Sequence, residues 1–262
     1  MQPKKFGIIG GNGGIARIHK ECIEMLGGEY IICDIAGIAK FTNYVDMIPN
    51  VDVVVICTPN YLHYPMIVDA LNANKYVICE KPHALSAREI DRLRRHVNID
   101  KLYPVLQLRY NPDLKELREK YQTGFHDVEM SIKIYRSKPY FQGWKGNQTC
   151  SGGLLFNIGI HYFDFLAWFF GGYKGQAQTH YQWMDSSGVL LLDRAVVKWH
   201  LDIITPEDKQ ERIVKINGEE VNLSYQFQNL HQEIYKELSN GSSIKMEDII
   251  PTYSLIENII RG

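Results

Sequence analysis

Residues 7–19 read GIIGGNGGIARIH. The glycines sit between a short apolar run at 6–9 and a segment, 15–26, whose apolar residues recur at helical spacing and which ends at Gly27-Gly28. A buried strand, a glycine turn and a helix in that order predict the opening unit of a parallel sheet. The chain beyond repeats the alternation. Residues 30–33 (YIIC) form a second strand pattern closed by Asp34, and 51–57 (VDVVVIC) a third. A helix is expected over 64–73, a fourth strand over 76–79, a helix over 87–96 and a fifth strand over 103–108. Strands this uniformly apolar are covered on both faces, which is the habit of a doubly wound parallel sheet.

The period changes after about Tyr110. Residues 127–137 (DVEMSIKIYRS) alternate, with Val128, Met130, Ile132 and Ile134 on one face. Residues 195–203 alternate through Val197, Trp199, Leu201 and Ile203, and 213–223 contain Asn217-Gly218, a strong hairpin signal. Such strands predict a second α/β domain with a largely antiparallel open sheet. The expected division is 1–108 and 109–262. Residues 35–50 leave no room for a full helix with two loops, so the sheet edge beside Asp34 is expected to be thin or open.

Composition narrows the partners. The 262 residues carry 29 basic and 30 acidic side chains, a net charge of −1, so no nucleic acid is expected. Hydrophobic residues at 45% suffice for a packed core. Five cysteines lie scattered without C-x-x-C spacing; they indicate a reduced, cytoplasmic protein, and no metal is expected. The longest apolar run, 158–170, falls short of the ~20 residues that span a bilayer, so no membrane partner is expected.

Gly11, Gly13 and Ala16 fit G-x-G-x-x-A, and Gly10 with Gly13 fits a variant one residue longer. Glycines let backbone amides approach a pyrophosphate, and the following helix N-terminus stabilises its charge. Asp34 stands twenty residues after Gly14, where a carboxylate accepts from ribose hydroxyls and repels a 2′-phosphate. The expectation is a Rossmann domain that prefers NAD to NADP. Its contacts are expected from Gly10, Gly11, Asn12, Gly13, Gly14, Ile15 and Asp34, and from Thr58, Pro59, Asn60, His63, Glu80 and Lys81 at later strand ends.

Residues 151–164 read SGGLLFNIGIHYFD. On a helix, Asn157 and His161 share one face. A neutral imidazole is a base suited to neutral pH. Lys81, in Glu80-Lys81-Pro82, can donate to a developing alkoxide as ammonium or serve as the base when neutral; sequence leaves the two assignments open. Arg109 and Lys145, the latter beside Trp144, are candidates for anionic groups of a substrate, and Gly153 lies in the turn before Asn157. Tyr135, Arg136, Tyr140 and Phe141 could line a sugar or uracil site, although aromatics on strands are more often packing.

The G-x-x-G-x-I-A-x-x-H start, the CTPNYLH segment and Glu80-Lys81-Pro82 resemble the Gfo/Idh/MocA oxidoreductase family. Gln107-Leu108-Arg109-Tyr110, Gly143-Trp144-Lys145-Gly146, residues 151–164 and Leu230-His231 are similar to the bacterial UDP-N-acetylglucosaminuronic acid 3-dehydrogenases of O-antigen synthesis. The resemblance implies that Lys81 and His161 flank the sugar carbon being oxidised, with Asn157, Arg109, Trp144, Lys145 and Gly153 toward the substrate. The wider family carries Asp where this chain has Asn157, and Asn orients an imidazole without supplying charge. The resemblance also implies 2-oxoglutarate as the acceptor that re-oxidises NADH, and a homodimer or homotetramer. The alternatives are a dehydrogenase of a free sugar or cyclitol and, in another class, an NAD-binding sensor or repressor without catalysis.

Overall fold

The structure is a computed structural model that describes residues 5–203, 206–223, 227–241 and 243–262. The chain divides into two compact units, Met1–Tyr110 with Phe227–Met246, and Asn111–Gln226 with Glu247–Gly262.

In the first unit the order is β1 (Lys5–Ile9), α1 (Ala16–Met25), β2 (Glu29–Cys33), α2 (Tyr44–Met47), β3 (Val53–Ile56), α3 (His63–Asn72), β4 (Tyr76–Cys79), α4 (Ala87–Leu93) and β5 (Leu102–Pro104). The strands pair in parallel in the order β2-β1-β3-β4-β5. Ile8 stands opposite Ile32 on one side and Val55 on the other. Every residue of β3 is buried, as two covered faces require. The chain leaves β1 toward one edge and β3 toward the other, so the carboxyl ends of these two strands flank a topological switch point, where ligands bind in such sheets.

Two details depart from the sequence reading. The fifth strand is only Leu102–Pro104, and Gln107–Tyr110 wind into a 3-10 turn. The last ladder bond runs from the Val105 N–H to the Cys79 carbonyl at 3.0 Å, after which the chain winds into that turn. The helix expected over 87–96 stops at Leu93. Residues 35–50 behave as expected: they hold the one-turn α2, and Ile35 and Ile38 are 92% and 94% exposed.

The second unit contains α5 (Pro112–Lys120), β6 (His126–Lys133), α6 (Gln148–Ser151), α7 (Ile160–Phe170), β7 (Tyr173–Tyr181), β8 (Asp185–Leu192), β9 (Ala195–Asp202), β10 (Glu211–Ile216) and β11 (Glu219–Val221). The sheet order is β11-β10-β6-β9-β8-β7, antiparallel except for β6 with β9. Asn217 and Gly218, both at positive φ, form the hairpin turn between β10 and β11. One face of the sheet buries Val128, Met130, Ile132, Val197, Trp199 and Leu201. Phe163 of α7 meets Trp199 edge-on, with ring centroids 5.3 Å apart. The opposite face carries Glu129, Lys198, His200 and Lys215 around Val189 and Ile213. It is therefore polar, not the apolar face that would by itself argue for association.

Helical turns run from Gln148 to Phe170, 23 residues that are long and apolar enough to cross a membrane by length and composition. That run is longer than the sequence reading expected, because the turns before Ile158 join it. Its apolar window is 89% buried inside the unit, the position of a core helix.

Two helices close the chain, α8 (Phe227–Asn240) and α9 (Met246–Arg261). Residues 247–262 stay with the second unit, where Thr252 donates to the buried Asp164 at 2.7 Å. Helix α8 returns to the first. Its buried residues Leu230, Ile234, Tyr235 and Leu238 recur at helical spacing, and Tyr235 lies against Phe6, centroids 5.9 Å apart. A linear cut at 108/109 contains no such return.

Candidate active site

The glycine loop leaves β1 and opens α1. Gly10 has φ +76°, and a side chain there would put Cβ 2.7 Å from the Cys57 carbonyl oxygen, so only glycine fits. At Gly14 nothing lies within 4 Å of the Cβ position. The loop is thus tight against β3 on one side and open on the other, a cradle that accepts a pyrophosphate at the start of a ten-residue helix.

Asp34, just past β2, faces this loop. One carboxylate oxygen accepts from the Asn12 N–H at 2.9 Å and the other from the Ala36 N–H at 3.0 Å. The Asn12 side-chain amide donates to the Ala36 carbonyl. Each carboxylate oxygen has a second lone pair, so Asp34 can brace the loop and still accept from ribose hydroxyls.

The loops after β3 and β4 are joined by one imidazole. His63, fully buried, sets Nδ1 2.7 Å from the Pro82 carbonyl and Nε2 2.8 Å from the Thr58 carbonyl. Two carbonyls would both be satisfied only by an imidazolium. Burial is the larger influence and holds the His63 pKa below its usual value, outweighing both carbonyls and Glu80. Near neutral pH the ring donates to one carbonyl and abuts the other. His63 therefore straps Thr58-Pro59-Asn60 to Lys81-Pro82.

Glu80 is the centre of a buried cluster. One carboxylate oxygen accepts from His19 Nε2 at 3.1 Å and from His231 Nε2 at 3.0 Å. With Nε2 of His19 protonated, its Nδ1 is the acceptor for the Tyr235 hydroxyl at 2.8 Å. Burial alone would push Glu80 upward, but the bonds from His19 and His231 outweigh it and hold the carboxyl well below the usual range. Burial pushes His19 down, so the ring stays neutral beside an ionised carboxylate. The three donor atoms lie within 4.8 Å of one another, a spacing that a metal ion can use. The hydrogen bonds that these groups already make account for the same geometry without one.

Neighbouring His83 is also fully buried, and burial with the nearby His63 lowers its pKa to about 3. Arg109, on the 3-10 turn after β5, is 5% exposed. Lys81 is half-buried. All five cysteines are free.

In the second unit, Gly152 and Gly153 take positive φ and turn the chain from α6 into a π-helical turn, Leu155–Gly159, that runs into α7. Asn157 lies within the π turn and His161 in the first turn of α7. The Asn157 amide donates to the Tyr140 hydroxyl at 3.2 Å. Lys145 Nζ stands 4.4 Å from the centre of the Tyr140 ring and 5.7 Å from that of Trp144. The Arg136 guanidinium stands 5.1 Å from the Tyr140 ring. These are cation–π distances. Burial, and then Arg136, lower the Lys145 pKa.

The first unit thus gathers Gly10–Ile15, Asp34, Thr58, Pro59, Asn60, His63, Glu80 and Lys81 at the carboxyl ends of its strands, with Arg109 on the turn after β5. The second unit holds Trp144, Lys145, Gly153, Asn157 and His161. Sequence reasoning assigned no role to Tyr235, and used His19 and His231 only as parts of a resemblance. A histidine at a buried position of an amphipathic helix was the available signal. Sequence reasoning left Arg136 and Tyr140 between the lining of a sugar or uracil site and packing; both belong to a basic, aromatic cluster.

A family model described as "Oxidoreductase family, NAD-binding Rossmann fold" matches residues 14–102, and its companion, "Oxidoreductase family, C-terminal alpha/beta domain", matches 126–247. Among solved structures, the chain is similar to the WlbA (WbpB) dehydrogenase from Thermus thermophilus in complex with NAD and alpha-ketoglutarate. The identity is 31%, the TM-score 0.86, and the match covers 97% of this chain and 94% of that one. The same dehydrogenase in complex with NAD and UDP-GlcNAcA matches at 30% identity and TM-score 0.85, over 98% of this chain and 94% of that one. Among curated proteins, myo-inositol 2-dehydrogenase from Thermotoga maritima is 26% identical over 64% of this chain. The chain spans 55% of that relative's length.

Proposed function

Because the chain belongs to the Gfo/Idh/MocA family of oxidoreductases, whose NAD-binding Rossmann domain is its first unit, we propose that it oxidises the 3-hydroxyl of a UDP-N-acetylhexosaminuronate, using NAD. The observation that carries the reading is the likeness at 30% identity, over 94% of its length, to a dehydrogenase solved with NAD and UDP-GlcNAcA. The basic aromatic cluster of Arg136, Tyr140, Trp144 and Lys145 supports it, since the substrate is an acid.

Oxidation of a secondary alcohol needs a hydride acceptor and a proton acceptor at one carbon. Bound NAD supplies the first. Lys81 and His161 carry the proton chemistry, one removing the hydroxyl proton and the other donating to the developing oxyanion. In the first unit, Gly10–Gly14 and the start of α1 hold the pyrophosphate and Asp34 the ribose. His63 keeps the Thr58 and Lys81 loops in register beside them. On this reading the protein is a cytoplasmic homo-oligomer and its reaction belongs to the synthesis of a bacterial surface polysaccharide.

The test is turnover of UDP-GlcNAcA by purified protein with NAD, with 2-oxoglutarate present to re-oxidise NADH held on the enzyme. The expected result is a 3-keto sugar. Lys81→Ala and His161→Ala should each lower kcat by about a hundredfold or more, the usual scale of general acid–base groups. No product from this substrate, with reduced cofactor excluded as the cause, overturns the reading. The myo-inositol 2-dehydrogenase relative favours a second reading, a free cyclitol or sugar as substrate, which turnover of inositol without any nucleotide would support.

A further inference from the structure

We propose that the dinucleotide site of this chain has a single wall at its base end, built from Ile35 and Ile38, and takes nicotinamide dinucleotides of any purine. The inference rests on the NAD-binding domain and not on the sugar proposed above. It concerns the base, for which Gly10–Gly14 and Asp34 provide nothing.

The wall is a loop fastened at both ends and in the middle. At its ends the Asp34 N–H donates to the Phe41 carbonyl at 3.0 Å, and the Phe41 N–H donates to the Ile32 carbonyl at 3.2 Å. In the middle the Asn12 side-chain amide donates to the Ala36 carbonyl. Gly37, at φ +73°, makes room for that amide, since a Cβ there would lie 2.8 Å from Asn12 Nδ2. The glycine loop thus holds the segment that carries both isoleucines.

Ile35 and Ile38 are almost wholly exposed. A loop free to rearrange would turn such side chains inward; this one is pinned with both in water. A single exposed isoleucine is ordinary on a protein surface. Two on one fastened loop, next to the carboxylate suited to the ribose, form an apolar platform. A purine is bonded to C1′ of that ribose, so a ribose held by Asp34 brings the base to the residues that follow Asp34. The flat face of the base and the isoleucine side chains then shield each other from water.

The rest of this crossover, all of it among the described residues, adds no second wall. A parallel crossover usually places a full helix between its strands. Between β2 and β3 this chain has only the one-turn α2 and a 3-10 turn, Ile48–Asn50. That segment lies against β1: Met47 is fully buried, and a Cβ at Gly7 would stand 2.7 Å from its Cε. Aliphatic side chains neither donate nor accept hydrogen bonds, so the wall reads the flat face of a base and not its edge. Adenine, guanine and hypoxanthine share that face and differ at the edge.

The experiment measures dissociation constants on the full chain for NAD and for the nicotinamide dinucleotides of guanine and hypoxanthine. Wild type should bind all of them within about threefold of one another. Ile35→Ser and Ile38→Ser should each weaken every dinucleotide by about fivefold, the scale of half-covering an isoleucine. Both should leave the melting temperature of the free protein unchanged, because the side chains stand in water. Ile38→Leu should keep the wild-type affinities. In wild type, a loss of about tenfold or more for guanine or hypoxanthine would reveal a contact to the base edge and overturn the proposal. Unchanged affinities in both Ser variants would also overturn it, as would failure of wild type to bind any of the dinucleotides. Turnover of UDP-GlcNAcA tests the sugar separately, so either reading can fail alone.

Discussion

Asn157 donates its side-chain amide to the Tyr140 hydroxyl at 3.2 Å. The bond joins the π turn at the start of the core helix to the ring on which Arg136 and Lys145 rest. It gives Asn157 a task that its spacing from His161 does not reveal.

That task has a measurable signature. Asn157→Ala and Tyr140→Phe each remove the same hydrogen bond, worth about 1 kcal/mol net. Each should raise the KM for an acidic substrate by about fivefold, with a smaller effect on kcat. Because the two changes delete one interaction, their combination should cost no more than either alone, a coupling of about 1 kcal/mol in a double-mutant cycle. Strict additivity would show that the residues act separately.

Glu80 is expected to contribute to stability through the hydrogen bonds that it accepts from His19 and His231. Glu80→Ala takes the acceptor away from His19 and His231, both about 1% exposed or less. Hydrogen bonds to a buried charge contribute about 1.5–3 kcal/mol each, so the loss should be about 3 kcal/mol or more. Glu80→Gln keeps one acceptor oxygen and should lose about half as much. Urea unfolding at pH 7 measures both, with the midpoint falling and the slope unchanged. A loss below about 1 kcal/mol for Glu80→Ala would mean that water replaces the carboxylate.

The parallel sheet was readable because its signals are local: an apolar run, a glycine turn, a helix, each within a few residues. The hairpin at Asn217-Gly218 was readable for the same reason. The short fifth strand was misjudged because Leu106 and Leu108 are apolar for burial, not for pairing. The return of α8 was not readable, since nothing local tells which sheet a buried helical face will cover. The candidate site divides likewise. Gly10–Gly14 and Asp34 announce their chemistry by spacing. Glu80, His19, His231 and Tyr235 are scattered over 217 positions of the chain, and only the fold brings them together.

Asp34 is expected to set the choice between the two nicotinamide dinucleotides. Its carboxylate already accepts from Asn12 and Ala36, so it is fixed in place before any ligand arrives. Fixed negative charge repels a 2′-phosphate more than a mobile one does. Asp34→Ser should weaken NAD by about 1–2 kcal/mol, the value of one or two hydrogen bonds, and should strengthen NADP relative to NAD by about tenfold. Titration with both dinucleotides measures the ratio. A ratio unchanged in the variant would move the discrimination elsewhere in the loop.

Acid should unfold the protein through its buried histidines. His19, His63 and His83 all have folded pKa values below the ordinary ~6.5, with burial the largest cause in each. Between ~6.5 and the folded value, the unfolded chain binds a proton that the folded chain refuses. Stability therefore rises with pH across that window and falls as the medium is acidified, by up to about 1.4 kcal/mol per pH unit for each histidine. For His83, whose folded value is about 3, the window reaches far into acid. Glu80 acts in the same direction at lower pH. Its folded value is depressed, so its contribution is complete above ~4.3 and is lost as pH falls toward that folded value. From pH 6.5 to 5, His83 should thus remove about 1.7 kcal/mol, with His19 and His63 acting in the same direction, read by urea unfolding at several pH values. His83→Leu, which has no proton to gain, should flatten that slope by about one proton's worth. A wild-type slope near zero in this window would mean that the histidines are already charged in the folded protein.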